Sequence, residues 1–406
     1  MNVPKQNSLK FVSIFLTIFP FASLFSQIQN VVNSVNLDSL IHCVKELSSE
    51  TALMINGNPD TILSRYKNFP GNEKAEILIY NRLQRFGLSP QRLIFSSTGK
   101  NVYAIQQGSL YPEQQYIICA HYDDYPVNLI APGADDNASG VATVLEAARI
   151  LAKFSSDYSI IYALWDEEEQ GLVGSAAYAS WANSNNHQIK GVINIDMIGW
   201  DSDSNGVFLI NTRDIASSYQ LRDSILAINN FFQLGLTPQV VDPGSGSDNL
   251  PFWYYGFGAI GIEEDYFNDW NSNYHTVNDR VSEFNTAYFH RCAKVVIGAL
   301  AALAEINSTV QIEQKPHIAQ SLELYQNYPN PFNPVTHISY KLEVAGAVSL
   351  KIFDVIGREV EVLVNKFQSA GEYRYQFIAS YLPSGLYLYK LQVGDLIKTK
   401  KMVLLK

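Results

Sequence analysis

His121, Asp136, Glu169, Asp196 and His275 offer two imidazoles and three carboxylates, and each lies at the end of an apolar run or in the turn beside one. Imidazole and carboxylate are the ligands of a hydrolytic zinc, which also needs an open position for water and a nearby base. Two such ions sharing one carboxylate lie roughly 3.5–4 Å apart. Three negative ligand charges against the four positive charges of two ions leave about one unit for an activated water to cancel. Without a cation the same carboxylates repel one another and are costly to bury. Taken singly, each residue has a plainer reading: His121 as a satisfied core histidine, Asp166 to Glu169 as a solvated acidic loop, Asp196 as a turn cap, His275 as a loop histidine. Their joint order favours metal ligation.

Positioning them falls to buried strands. Tyr116 to Ala120 runs into His121, Ile160 to Trp165 into Asp166-Glu167-Glu168-Glu169, and Val192 to Ile195 into Asp196. Continuous apolar runs of this kind read as strands covered on both faces, as in a parallel sheet. In open α/β sheets the ligand crevice lies outside the carboxyl ends of such strands. Asn101 to Gln106, Val207 to Ile210 and Ala259 to Ile262 complete the expected sheet. Glu73 to Phe86, Gly140 to Phe154 and Ala287 to Ile306 read as helices, the first stopped by Gly87. Strand and helix patterns alternate from Leu37 to about Ile306, which predicts a three-layer α/β/α domain with a mainly parallel mixed sheet.

The chain has 406 residues, 47% hydrophobic and 17% charged, enough for a sizeable core and more than one domain. Its net charge of −10 and sequence pI near 5.2 argue against a nucleic-acid partner, which favours a clustered basic face. Lys5 and Lys10 precede an apolar stretch from Phe11 to Phe25, interrupted by Pro20, so residues 1–26 read as a cleaved signal peptide and the protein as secreted. That stretch is short for a membrane span, and no later run reaches that length. Three cysteines follow it. Cys119 reads as a small buried hydrophobe, whereas Cys43 and Cys292 lie on expected helices and leave a disulfide between them open.

A change of character follows Asn307. Residues 308–322 read as a linker, and 323–406 as an all-β sandwich: Ile338 to Leu342 and Val348 to Phe353 alternate apolar and polar residues, with Gly357, Gly371 and Gly385 between such runs. Tyr373, Tyr375, Tyr387 and Tyr389 sit at strand alternation and are expected to fill its core. Three blocks, Tyr328-Pro329-Asn330-Pro331-Phe332-Asn333-Pro334, Phe353 to Val360 and Leu382 to Tyr387, resemble the C-terminal sorting domain of bacterial type IX secretion cargo. The resemblance implies the type IX machinery as a partner and export across the outer membrane.

Within residues 37–307 several ordered blocks carry a second resemblance. They are Ala120-His121-Tyr122-Asp123, Ala131 to Gly140, Glu168 to Ser175, Ile195-Asp196-Met197 and Tyr274-His275-Thr276. This text resembles the co-catalytic zinc aminopeptidases of metallopeptidase family twenty-eight. The resemblance implies two Zn2+ ions, one held by His121 and Asp196, the other by Glu169 and His275, with Asp136 bridging. It further implies Glu168 as general base, Asp123 as the partner that orients His121, a cis peptide between Asp136 and Asn137, and peptides as substrates. Gly244 to Asp248 resembles the family's substrate-side loop, with Asp248 as a support or cap. Tyr254, Tyr255, Phe257, Tyr266, Phe267 and Trp270 could line a pocket for a hydrophobic N-terminal residue or pack in a core. Glutaminyl cyclases resemble this domain but use a single zinc, carboxypeptidases and dipeptidases of the family keep the five ligands, and a surface binding protein with a vestigial site is the rival from another class.

Overall fold

The computed structural model describes residues 19–55, 58–127, 130–309, 323–342, 346–355, 357–368, 371–393 and 396–406. The chain divides into two units, Met1–Gln311 and Ile312–Lys406. Residues 1–18 of the expected signal segment and 310–322 of the expected linker lie outside the described residues.

The first unit is built on an eight-stranded mixed sheet. Its strands in chain order are β1 (Gln91–Ile94), β2 (Lys100–Gln106), β3 (Tyr111–His121), β4 (Tyr158–Trp165), β5 (Gln188–Asp196), β6 (Val207–Asn211), β7 (Thr237–Val241) and β8 (Ala259–Glu264). They lie side by side as β7-β6-β8-β5-β3-β4-β2-β1. The central four, β8, β5, β3 and β4, run parallel, and the group is flanked by antiparallel neighbours, β6 beside β8 and β2 beside β4. The unit also holds helices α1 (Phe19–Ser34), α2 (Leu37–Leu47), α3 (Pro70–Arg85), α4 (Gly140–Leu151), α5 (Val173–Ser184), α6 (Ser218–Phe232), α7 (Leu250–Tyr254) and α8 (Thr286–Leu303), and two short two-stranded sheets, Leu53–Ile55 with Asn58–Asp60 and Phe154–Ser156 with Ile306–Thr309.

Alternation along the central strands explains why their sequences are apolar throughout. Ile118 and Ala120 of β3, with Ile193 and Ile195 of β5, join the core formed with α1, α2, α4 and α8. Ile117 and Cys119 of β3, with Val192 of β5, join a separate core under α5 and α7. A side-chain period of two puts successive residues on opposite faces, so His121 and Asp196 continue the α5 side of the sheet. The helices are started by ordinary local chemistry: the Asn36 side chain accepts from Ser39 N at 2.8 Å to cap α2, and Asn285 accepts from Tyr288 N at 3.1 Å to cap α8.

Several expectations need adjusting. The first unit does not begin at Leu37: α1 packs on α8, and Ile28, Val31, Val32 and Val35 are buried in the larger core. Cys43 and Cys292 form no disulfide; both are buried free thiols, as is Cys119. Burial pushes the Cys43 thiol up to about 11, against the pull of Arg82, and Cys292 sits beside Tyr288. Strands β1 and β7 were not anticipated. They are the two sheet edges, short and largely exposed, so they carry no apolar run. Among the described residues no helix is long and apolar enough to cross a membrane.

The second unit contains β9 (Glu323–Leu324), β10 (Val335–Leu342), β11 (Gly346–Phe353), β12 (Glu359–Gln368), β13 (Gly371–Ile378), β14 (Gly385–Val393) and β15 (Leu396–Leu404). They form sheets β9-β10-β13 and β12-β11-β14-β15 around one core. Tyr387 and Tyr389 lie within that core, and Tyr373 and Tyr375 pack on it, stacked against Tyr340. The Tyr389 hydroxyl accepts from Asn327 N at 2.8 Å and donates to Tyr325 O at 2.9 Å, so its polar end is satisfied.

Two outcomes follow. Leu221 on α6 is fully buried in the larger core, and Leu221→Ala is expected to destabilise the first unit by about 2–5 kcal/mol. All five tryptophans lie between positions 165 and 270, so tryptophan fluorescence in a urea titration reports this unit alone. Second, the three thiols should react with a thiol reagent only after unfolding, with no reductant required. A thiol count that rose on adding reductant would contradict the free state of Cys43 and Cys292.

Candidate metal centre

The parallel strands deliver their carboxyl ends to one edge of the sheet, and the five candidate ligands meet there. His121 ends β3, Asp196 ends β5, Glu169 follows β4, and His275 lies on the loop after β8. Asp136 comes from the irregular turn Ala134–Ser139 that leads into α4, and its peptide bond to Asn137 is cis. His121 Nε2 stands 3.3 Å from Asp136 Oδ1 and 3.3 Å from Asp196 Oδ1. His275 Nε2 stands 3.0 Å from Asp136 Oδ2 and 3.0 Å from Glu169 Oε1. Two sets of ligand atoms result, His121-Asp136-Asp196 and Asp136-Glu169-His275, each with its atoms within 4.8 Å of one another. Asp136 belongs to both.

These contacts fit a cation better than they fit hydrogen bonding. A Nε2 atom carries at most one N–H, yet each imidazole Nε2 faces two carboxylate oxygens. A divalent cation among the three atoms of each set would satisfy all of them, and imidazole with carboxylate is a donor set suited to one. Electrostatics point the same way. Burial, and next the charge of Asp136, pushes the Glu169 carboxyl up to about 8. Burial works against protonation of His275, but hydrogen bonds to Asp136 and Glu169 outweigh it and raise the imidazole to about 10. Asp136 is itself pulled below the carboxylate range, against its burial, by the two imidazoles.

Around the ligands the remaining groups have distinct contacts. Asp123 Oδ1 lies 3.4 Å from His121 Nδ1, and the same carboxylate accepts from Glu168 N at 3.1 Å and Glu169 N at 3.2 Å. It therefore also fixes the loop after β4. Glu168 stays outside both ligand sets. Burial raises its carboxyl well above the ordinary value, with His121 opposing, and Ser247 Oγ donates to its Oε1 at 3.2 Å. Asp248 is fully buried, and burial pushes it up to about 7, again opposed by His121. Glu167, Met197 and His275 hold left-handed backbone, at φ of 58°, 56° and 60°. Non-glycine residues seldom adopt that conformation, and its adoption by one candidate ligand and by two residues close to candidate ligands marks a strained site.

The six aromatic residues divide. Phe257 packs on Phe252 against the α5-side core. Tyr254 and Tyr255 are exposed at the end of α7. Tyr266, whose hydroxyl meets Ser245 Oγ at 3.0 Å, lies tilted against Phe267, and Trp270 sets its edge on Tyr274, which stacks on His275. Tyr125 covers His275 as well, with ring centroids 5.0 Å apart. Sequence reasoning missed Tyr125, Ser247 as a partner of Glu168, and Glu263, which lies in register with Asp196. It also missed Arg65 and Asp279, which hold the turn of Asp136. Glu263 shared the strand end with Asp196 and could have been found by pairing the strands; Arg65 had no local signal. A further acidic group, Asp201, Asp203 and Asp269, already accepts hydrogen bonds from Gly206, Asn285, Asn205, Trp200 and Ser202.

Comparison with known proteins places these blocks. Residues 101–300 match the model of Peptidase family M28, and residues 326–405 match that of the Secretion system C-terminal sorting domain. The chain carries a peptidase family M28 domain. It is similar to the aminopeptidase YwaD of Bacillus subtilis, 26% identical over 290 residues that make up 67% of this chain and 60% of that protein. A probable zinc metalloprotease of Pyricularia oryzae is 37% identical over 120 residues, 28% of this chain and 24% of that one. The chain thus spans less than two thirds of these relatives. The fold is shared with an aminopeptidase from Aneurinibacillus sp. strain AM-1, at a TM-score of 0.56 and 16% identity over 70% of this chain and 97% of that one. It is shared equally with the glutaminyl cyclase of Porphyromonas gingivalis, at 0.54 and 18% over 66% and 99%.

The protonation of this M28 centre sets a test. With no cation, Glu169 and His275 both hold their protons above their ordinary values of 4.5 and 6.5. A raised folded value stabilises the protein at low pH, and that stabilisation is lost as pH climbs through 4.5 to 8 for Glu169 and 6.5 to 10 for His275. The melting temperature of chelated protein should therefore fall between about pH 5 and about pH 8, and adding a divalent cation should raise it more at the upper end. A melting temperature indifferent to the cation at every pH contradicts the centre as a cation site.

Proposed function

We propose that the chain is a secreted zinc exopeptidase, an aminopeptidase that removes N-terminal residues from peptides. One observation carries the reading: Asp136 turns one carboxylate oxygen to each of two imidazoles, the arrangement that two Zn2+ ions sharing a bridge require. His121 and Asp196 would hold one ion, Glu169 and His275 the other, with Asp136 common to both. When bound, the ions supply Lewis acidity at the scissile carbonyl and acidify a water at neutral pH. The M28 family match, the YwaD relative and the zinc metalloprotease relative support the same reading.

The chain's own groups do the proton work. Glu168 is placed beside the ligands without being one of them, and its raised affinity for protons suits a group that takes one from the attacking water. It then passes that proton to the leaving amine. Ser247 Oγ holds Glu168 Oε1 in place, and Asp123 holds the backbone of both Glu168 and Glu169 while facing His121. Phe267 and Trp270, both more than half exposed on the loop that carries His275, are available to receive an apolar first side chain. The second unit, matched as a sorting domain, would deliver the protein to the type IX machinery after the signal segment 1–26 directs it to the periplasm. Extracellular peptides would be its substrates.

Peptide-library digestion by zinc-loaded protein, read by mass spectrometry, tests this directly. N-terminal residues should be released, N-blocked peptides spared and C-blocked peptides accepted. Glu168→Gln should lower kcat by about 10²–10⁴ with little change in KM and unchanged zinc content. One zinc per chain with cyclisation of N-terminal glutamine would establish the cyclase chemistry instead. Zinc binding with no turnover of any peptide would establish a binding protein.

A further inference from the structure

We infer that Arg65 is the positioning residue for the bridging ligand Asp136, and that its guanidinium sets the metal affinity of the centre. The inference rests on the two-metal reading above. Arg65 is fully buried, and its five N–H donors meet five backbone carbonyls, one each. Nε donates to Tyr122 O at 2.7 Å, one Nη1 hydrogen to Leu47 O and the other to Pro132 O, both at 2.8 Å. Nη2 donates to Gly133 O at 2.8 Å and to Asp136 O at 3.3 Å. The guanidinium thus joins the residue after His121 to the turn that ends in Asp136, and both to the end of α2.

This is an unusual use of a buried charge. Removing a guanidinium from water is expensive, and core packing is served at least as well by an apolar side chain. Arg65 has one carboxylate near it, Asp124, whose Oδ2 lies 3.7 Å from Nη1 and whose other contacts are Arg65 N and Ser64 Oγ. All the directional hydrogen bonds of the guanidinium go to the backbone. What a planar five-donor fork does that no apolar residue or lysine can is gather five carbonyls into fixed directions. Gly133 shows how closely the chain wraps it. Its φ is 55°, and a Cβ there would lie 2.5 Å from Arg65 Nη2 and 2.5 Å from Asp136 O. On the opposite side of the same turn the Asp279 carboxylate accepts from Asp135 N at 2.8 Å and Asp136 N at 3.1 Å. Carbonyls held by Arg65 and amides held by Asp279 leave the Asp136 side chain one direction in which to point.

The experiment compares wild type, Arg65→Lys, Gly133→Ala and Leu221→Ala, each full-length, chelated and then titrated with zinc against a competing chelator, and separately with cobalt as a spectroscopic probe. Arg65→Lys keeps the charge but has too few donors; Gly133→Ala keeps Arg65 and crowds the contact between its Nη2 and Asp136 O from both sides. Both should weaken zinc binding by about 10- to 100-fold and alter the cobalt absorption spectrum. Leu221→Ala, which lowers stability without touching the turn, should leave both readouts at wild-type values when measured below its melting temperature. Wild-type affinity and spectrum in Arg65→Lys overturn the inference. So does equal loss in Leu221→Ala, because the effect would then be one of general stability. If Arg65→Lys does not fold, Gly133→Ala decides on the same two criteria. A wild type that binds neither metal overturns the two-metal reading itself, a result distinct from variants that bind as well as a competent wild type.

Discussion

The structure is organised around a repulsion. Asp136, Glu169 and Asp196 converge with two imidazoles at the edge of a sheet whose core excludes water, and Asp123, Glu168 and Asp248 stand close behind. Like charges at this spacing favour either separation or protonation. Separation is prevented because each carboxylate comes from a different element, anchored in the core below. Burial first, and neighbouring carboxylate charge after it, raise Glu169, Glu168 and Asp248, so the cation-free chain is relieved by protonation. Divalent cations supply the same relief without neutralising the groups that would do chemistry.

Parallel strands are what make the convergence possible. Four adjacent strands with the same direction end at one edge, so a single loop residue from each reaches a common point. Their apolar alternation feeds two separate cores, so the edge is rigid from both sides. The polar residues beyond the last apolar one inherit a face from the strand. His121 follows Cys119, and Asp196 follows Asn194, on the α5 side.

That inheritance is why so much could be read in advance. Runs such as Tyr116 to Ala120 and Val192 to Ile195 announce buried strands, and a charged residue after each announces the edge. The meeting of the five candidate residues at one edge was legible for the same reason, together with the fixed order of their blocks. What was not legible depends on contacts far apart in sequence. Arg65 sits between expected elements with no pattern around it, and its meaning lies in carbonyls from Leu47 to Asp136. The β1 and β7 edges are exposed and carry no apolar run. Helix α5, VGSAAYASWANS, is built from small residues with a weak apolar stripe, and close packing in three dimensions rather than periodicity fixes it. A Cys43–Cys292 pairing was open from the sequence because position along two helices does not give the direction of either side chain.

The three left-handed residues show how far the site is arranged by the protein itself. Glu167 donates its N–H to Asp166 Oδ1 at 3.0 Å and accepts from Thr98 Oγ1 at 2.6 Å. Met197 is tied to Asn137 Oδ1 through its N–H, and its carbonyl accepts from Glu264 N at 2.9 Å. His275 is braced by rings, with Tyr274 stacked on it and Tyr125 nearby. None of these supports is a ligand. Backbone conformations that are individually unfavourable persist only where neighbouring structure over-determines them, and here the neighbours are hydrogen bonds and aromatic rings belonging to the chain. A metal entering such a site would have little ordering left to do, and its binding energy would go to the candidate ligands rather than to folding a loop around them.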